Sequence, residues 1–283
     1  MARQSVPGWA PLITAGTATL ALYAPVLAGM AADWARFPSQ SHGFAVPVIS
    51  AYLIWTRRGT AASGLPDSSL ATMSIGLAAL VTGLGALLIG SLSGETFLAR
   101  ISMPLALLGV VLFVGGPAAV RRVWVGLAYL LFMVPLPYLT VKILTYQSRL
   151  LDAGITAAAL RRLGVPVLQD GVMLHLPNIT LEVAEDCSSV PAIAALIALG
   201  VAYALLRPRP VWSRITLALA AAPLGLLANI ARLIVTVLAA YLVGPVAIGN
   251  VIHQFAGTTV FLATILLLRG LDRMLTRLSG PRR

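Results

Sequence analysis

The chain has 283 residues, 59% of them hydrophobic and only 10% charged, with a formal net charge of +11. Soluble domains carry about twice that charged fraction, so a water-soluble globular protein is excluded. The positive charge does not point to nucleic acid either. All the basic residues but Lys142 are Arg, most lie in short breaks between apolar runs, and no basic stripe interleaved with aromatics is present; that distribution records membrane orientation.

Taken in chain order, apolar runs lie at about 9–32, 43–56, 70–90, 101–120, 123–139, 188–206, 213–243 and 251–269. A bilayer crossing needs about 20 apolar residues, and fewer where the bilayer thins, so the second and fifth runs are the short ones. The expected fold is an all-α polytopic membrane protein with about eight transmembrane helices, forming one membrane-embedded domain over residues 1–283. The opening "MARQSVPGWA" has no A-x-A-like cleavage site behind a short apolar stretch, so the first run is expected to stay as a span. Alternating loops place Arg3, Arg57/Arg58, Arg121/Arg122, Arg207/Arg209/Arg214 and the tail from Arg269 on one side. Arg36, Arg100, Lys142, Arg149, Arg161 and Arg162 fall on the other. The heavier side is cytoplasmic by the positive-inside rule, which gives both termini inside.

Residues 140–186 are too polar to cross and too long for a turn. In "VKILTYQSRLLDAGITAAALRRLG" apolar residues recur at helical spacing, with Lys142, Arg149, Asp152 and Arg161 opposite. This predicts an amphipathic helix at the outer interface with those polar residues in water. The period then changes to two in "GVMLHLPNITLEV", bounded by Gln169-Asp170-Gly171 and Pro177-Asn178, and predicts a small β-hairpin or pair of short strands.

The one cysteine, Cys187, follows this segment and opens the sixth apolar run. It rules out an internal disulfide and a multi-cysteine metal site, and no metal or other cofactor is expected. Arg232, in "LLANIARLIVTVLAAYLV", is the one basic residue inside an apolar run. Intramembrane Arg is costly and belongs in a protein interior or wet cavity. It lies nineteen residues above Ser213, about 28 Å of helix; Cys187 stands at a similar height above Arg207, and His253 about 24 Å above Arg269. The three are therefore expected near one level, at the outer membrane face. A thiolate with a cation beside it, a His to carry its proton and a guanidinium for an oxyanion would together perform acyl transfer through a thioester. Taken singly, each has a plainer role: a lone membrane Cys packs, a His at a helix start caps, an Arg binds a lipid headgroup. Glu182, Glu185 and Asp186 read most simply as solvated loop acids.

At these residues the chain resembles the exosortases, bacterial relatives of the archaeosortases, which are integral-membrane cysteine transpeptidases. The resemblance covers nearly the whole chain. "SHGFAVPVISAYLIW" is similar to the family's Ser-His-Gly segment at Ser41, His42 and Gly43, and "FLARISMPLALLG" and "FMVPLP" resemble its middle spans. "VAEDCSSVPAI" is similar to the nucleophile segment, with Val183, Glu185, Cys187 and Ser188 in matching places. "LANIARLIVTV" carries an Asn-x-x-Arg element at Asn229 and Arg232, and "HQFAG" a His-x-x-x-Gly element at His253 and Gly257.

The resemblance implies Cys187, Arg232 and His253 as catalytic residues, with Glu185, Asn229, Ser188 and His42 as supporting or substrate-binding ones. It also implies exported proteins with a C-terminal sorting tail as substrates: a Pro-Glu-Pro-like motif, one transmembrane helix and a basic cluster. They would be cleaved at the periplasmic face of the bacterial inner membrane and passed to an acceptor, in connection with exopolysaccharide. The chain departs from the family pattern at Ser189, where Gly is usual after the nucleophile's Ser, and at Pro191, where Arg is common. Hydrolysis with water as acceptor stays open at this point. So does a non-catalytic role in a polysaccharide synthesis or export assembly. A transporter is disfavoured, because no inverted repeat and no paired midplane helix breaks are visible.

Overall fold

The computed structural model describes residues 10–57, 69–206, 210–244 and 250–278, with the side chains of residues 38, 39, 186, 250–258, 260, 261 and 278 outside the description. The chain forms two compact units, Met1–Leu136 and Pro137–Arg283.

In the first unit, α1 (Ala10–Leu22) and α2 (Ala24–Arg36) meet at Tyr23 with a 62° bend. Pro25 lies in the first turn of α2, where its missing N–H ends the ladder of α1. A 3-10 turn (Pro38–Phe44) leads into α3 (Ala45–Arg57). α4 (Leu70–Ser93) starts on Ser69, whose hydroxyl accepts the Thr72 N–H, and ends on Gly94 in the left-handed region at φ 74°.

α5 (Thr96–Tyr129) returns antiparallel to α4. A glycine seam brings the two backbones together: a Cβ on Gly76, Gly83 or Gly90 would come within 2.8 Å of the backbone N of Phe113, Ala106 or Ala99 respectively. Without a hydrophobic drive between helices in lipid, close approach of this kind is what joins them. Gly116 leaves helical geometry at φ 66° and Pro117 follows, so α5 is broken there. The fourth and fifth predicted spans thus run on through one broken helix and a closing 3-10 turn (Leu130–Met133), with no polar loop between them.

In the second unit, α6 (Tyr138–Arg162) precedes an antiparallel meander of β1 (Leu168–Asp170), β2 (Met173–His175) and β3 (Thr180–Glu182), then α7 (Ser189–Leu206), α8 (Val211–Val243) and α9 (Asn250–Leu278). The strands pair Gln169 with Leu174 and Leu174 with Leu181. The sheet has one strand more than the predicted hairpin. Gln169 and Asp170, expected as turn residues, lie in β1, and the turn begins at Gly171 (φ 58°), a two-residue loop whose first position favours glycine. Pro177-Asn178 do form the second turn, and Asn178 donates to the Tyr241 carbonyl on α8 at 3.0 Å.

Two apolar cores result. Ala153, Ala157 and Leu160 of α6 pack with Leu174, Leu176 and Val183 of the sheet region against Leu233 and Val237 of α8. Leu196 and Ala204 of α7, Leu217 and Ala221 of α8, and Leu268 and Leu275 of α9 form the other. Tyr203 donates to the buried Asp272 carboxylate at 2.8 Å and ties α7 to α9.

The expectation of a polytopic, mostly helical membrane protein holds. Among the described residues, four helical stretches are long and apolar enough to cross a bilayer: Leu70–Ser93, Thr96–Met133, Ser189–Leu206 and Val211–Val243. The bent pair α1–α2 makes a fifth if it counts as one span. Eight crossings go beyond what length and apolarity define in these helices, and α3, the short second run, has only 13 residues.

The orientation predicted for α6 holds only in part: Lys142 and Arg161 are exposed as expected and Ala153, Ala157 and Leu160 are buried, but the middle of the helix differs. Arg149 and Asp152 are buried, while Tyr138, Leu139, Ile143, Tyr146 and Leu151 are exposed. The polar residues face the protein because they have partners there. Arg149 donates to the Val183 carbonyl and the Glu182 carboxylate, clamping the end of β3. Asp152 meets the start of α7.

Candidate active site

Cys187 closes a single 3-10 turn (Glu185–Cys187) between β3 and α7. Its N–H donates to the Ala184 carbonyl at 2.9 Å and the Ser188 N–H to that of Glu185 at 3.1 Å. Ser188 is extended at ψ 157°, and α7 begins at Ser189. Cys187 is half-buried and packs against the core that contains Val183, Leu233 and Val237.

The helix start is capped from another element. The Asp152 carboxylate on α6 accepts the Ser189 N–H at 2.8 Å on Oδ2 and the Ser189 hydroxyl at 3.0 Å on Oδ1. A carboxylate in this place satisfies an otherwise orphaned donor and meets the positive end of the helix dipole. Pro191 falls in the same first turn, where its lack of an N–H costs little.

From α8, Asn229 Nδ2 donates to Asp152 Oδ2 at 3.1 Å and to the Cys187 carbonyl at 2.8 Å, and Asn229 Oδ1 accepts from an Arg232 terminal nitrogen at 2.8 Å. Thr236, one turn on, donates to the Arg232 carbonyl. Gly225 makes this approach possible: a Cβ there would stand 2.9 Å from the Ile193 Cα, so α7 and α8 close up one turn before Asn229.

Burial raises the Asp152 pKa above the ordinary carboxylate value, while hydrogen bonds from Ser189 and Asn229 and the charge of Arg232 pull it back down. Protonation is therefore easier in the fold than in the unfolded chain. The stability that this shift contributes is present at low pH and is lost as pH rises through the folded-state pKa. The ionised form accepts all three bonds; the protonated form does not.

Of the residues singled out in the sequence, Cys187, Ser188, Asn229 and Arg232 come together here. Ser188 is buried, and its hydroxyl has no hydrogen-bond partner among the described residues. Glu185 is exposed at the start of the turn. The backbone of His253 lies in the first turns of α9, and its side chain falls outside the described residues. His42 belongs to the first unit, in the turn before α3. There the neighbouring Gly43 leaves room for the Trp34 indole, which donates to the Met133 carbonyl at 3.2 Å.

Asp152 was missed. Period reading assigns a charged residue on an amphipathic helix to water. The signal that could have found it is the stripe of polar residues Thr145, Arg149, Asp152 and Thr156 at helical spacing, all of them buried.

The chain is thus a helical membrane protein whose one thiol lies just before a capped helix start, with the Asn229 amide linking the Cys187 carbonyl to the guanidinium of Arg232 on the apolar helix α8. The family model for transmembrane exosortases (Exosortase_EpsH) matches residues 34–270, and the chain belongs to that family. The matched stretch includes His42, Cys187, Asn229, Arg232 and His253. No curated protein and no solved structure matches the chain.

Proposed function

We propose that the protein is a membrane cysteine transpeptidase that removes the C-terminal sorting tail of exported proteins at the periplasmic face of the bacterial inner membrane. Family membership supports the reaction class, since exosortases are generally cysteine transpeptidases. The observation that carries the reading is the Asn229 bridge, which joins the main chain of the only cysteine to the guanidinium of Arg232.

In this reading the Cys187 thiolate attacks the scissile carbonyl, and Arg232 stabilises the oxyanion of the tetrahedral intermediate. His253 takes the thiol proton and returns it to the departing amine, which leaves with the tail. The resulting thioester is attacked by the acceptor, and the thiol is restored. The buried Ser188 hydroxyl is a further donor beside the nucleophile. A substrate with its own transmembrane helix would enter from the bilayer plane and keep its basic cluster in the cytoplasm. The acceptor is water, a lipid or a glycan, and the activity is linked to exopolysaccharide production.

The test is a cleavage assay in cells. An exported reporter carrying a sorting tail from the same genome is co-expressed with wild type, Cys187→Ala and Cys187→Ser, and its intact mass is read. Loss of the tail with wild type alone is expected, and the mass added at the new C-terminus separates an acceptor from water. Unchanged reporter mass in every case, across several tails, would reject the enzyme in favour of a non-catalytic part in polysaccharide synthesis or export.

A further inference from the structure

The thiol chemistry above gives Asp152 no task, yet its carboxylate holds the site together. It is fully buried on α6 and accepts three hydrogen bonds, from the Ser189 N–H, the Ser189 hydroxyl and the Asn229 amide. The first two fix the turn that presents Cys187, two residues before Ser189. The third sets the sense of the Asn229 amide. With an acceptor-only group on one side and the Cys187 carbonyl on the other, the NH2 end of Asn229 must face them, which turns Oδ1 toward Arg232. Reversing the amide would set oxygen against two acceptors and NH2 against a guanidinium.

We propose that Asp152 is a positioning residue that locks the Cys187 turn and, through Asn229, the guanidinium of Arg232 into one arrangement; this rests on the reading of the protein as a cysteine transpeptidase. Ser189 belongs to the same device. Its hydroxyl gives the carboxylate a second bond beside the one from its N–H, and so a second fastening for the turn that carries Cys187.

The experiment uses the full chain in proteoliposomes, as wild type, Asp152→Ala, Asp152→Asn, Ser189→Ala and Cys187→Ala. One readout is turnover of a sorting-tail substrate, as kcat and KM. The other is the pH profile of Cys187 alkylation by N-ethylmaleimide, unambiguous because the chain has one cysteine.

Asp152→Ala should lower kcat by about 100-fold with KM nearly unchanged, the scale of a displaced catalytic group. It should also move the alkylation midpoint up by about one pH unit, because the cation is no longer held in place. Mere removal of a nearby anion would move the midpoint down. Asp152→Asn keeps the shape and an acceptor for the N–H and the amide but not the charge, and should fall between Asp152→Ala and wild type. Ser189→Ala should lose several-fold in kcat, the scale of one hydrogen bond.

An alkylation midpoint that stays put or moves down in Asp152→Ala, with kcat at the wild-type level, overturns the positioning role. If Asp152→Ala does not fold, the two shape-preserving variants decide, and wild-type profiles in both overturn it. Tail processing by Cys187→Ala at the wild-type rate would sink the transpeptidase reading instead, and the alkylation profiles would still judge the link from Asp152 to the thiol.

Discussion

Asn229 uses both ends of its amide: the NH2 serves Asp152 and the Cys187 carbonyl, and the oxygen serves Arg232. No isostere repeats this set. Asn229→Ala takes one hydrogen bond from the buried Asp152 carboxylate and one each from the part-buried Cys187 carbonyl and Arg232 guanidinium, at about 1–3 kcal/mol for a buried group that stays unsatisfied. Asn229→Asp keeps the bond to Arg232 but sets a carboxylate against Asp152 and a carbonyl oxygen. We expect Asn229→Asp to lower both the melting temperature and tail processing more than Asn229→Ala does. The reverse order would mean that the amide hydrogens matter less than the oxygen facing Arg232. Cys187 and Arg232 were legible in the sequence because each is chemically out of place in its apolar surroundings. Asp152 was not, since a lone acid on an amphipathic pattern reads as wet unless its partners on α7 and α8, remote in sequence, are known.

At the scale of elements, the site depends on how closely two helices can lie. Gly225 lets the α8 backbone reach Ile193 on α7, one turn from Asn229. Gly225→Ala should push the helices apart by a few tenths of an ångström or more and cut tail processing by about tenfold, as a small displacement of catalytic groups does. Gly85→Ala on α4, where a new Cβ meets nothing within 4 Å, should process at the wild-type level. Equal rates in the two would separate Gly225 from the site. Elements of this kind were only partly readable. The apolar runs of α4, α7 and α8 declared themselves by length. The break at Gly116 inside α5 and the extra strand β1 depend on local backbone geometry that hydropathy does not encode. The burial of Arg149 and Asp152 on α6 shows the same: a polar residue on an amphipathic helix turns to the protein where partners on other elements meet it.

On the scale of the whole molecule, both apolar cores and the described residues of the thiol network lie in the second of the two units. By the positive-inside rule the Arg distribution predicts the orientation, with Cys187 at the end of its apolar run away from Arg207 and Arg209 in the sequence. A membrane-impermeant maleimide applied to intact spheroplasts should therefore label Cys187, and the same reagent in inverted vesicles should not. Labelling in inverted vesicles would reverse the topology and place the site in the cytoplasm.

The half-buried setting of Cys187 among Val183, Leu233 and Val237 also bears on inhibition. An electrophile that reaches this half-buried sulfur must shed part of its hydration against the apolar side chains beside it before it can react. Potency among covalent blockers should thus track lipophilicity at least as steeply as intrinsic warhead reactivity. A compound built on an apolar tail with a modest acceptor would then outperform a hotter, water-loving one, and would spare the exposed thiols of soluble enzymes.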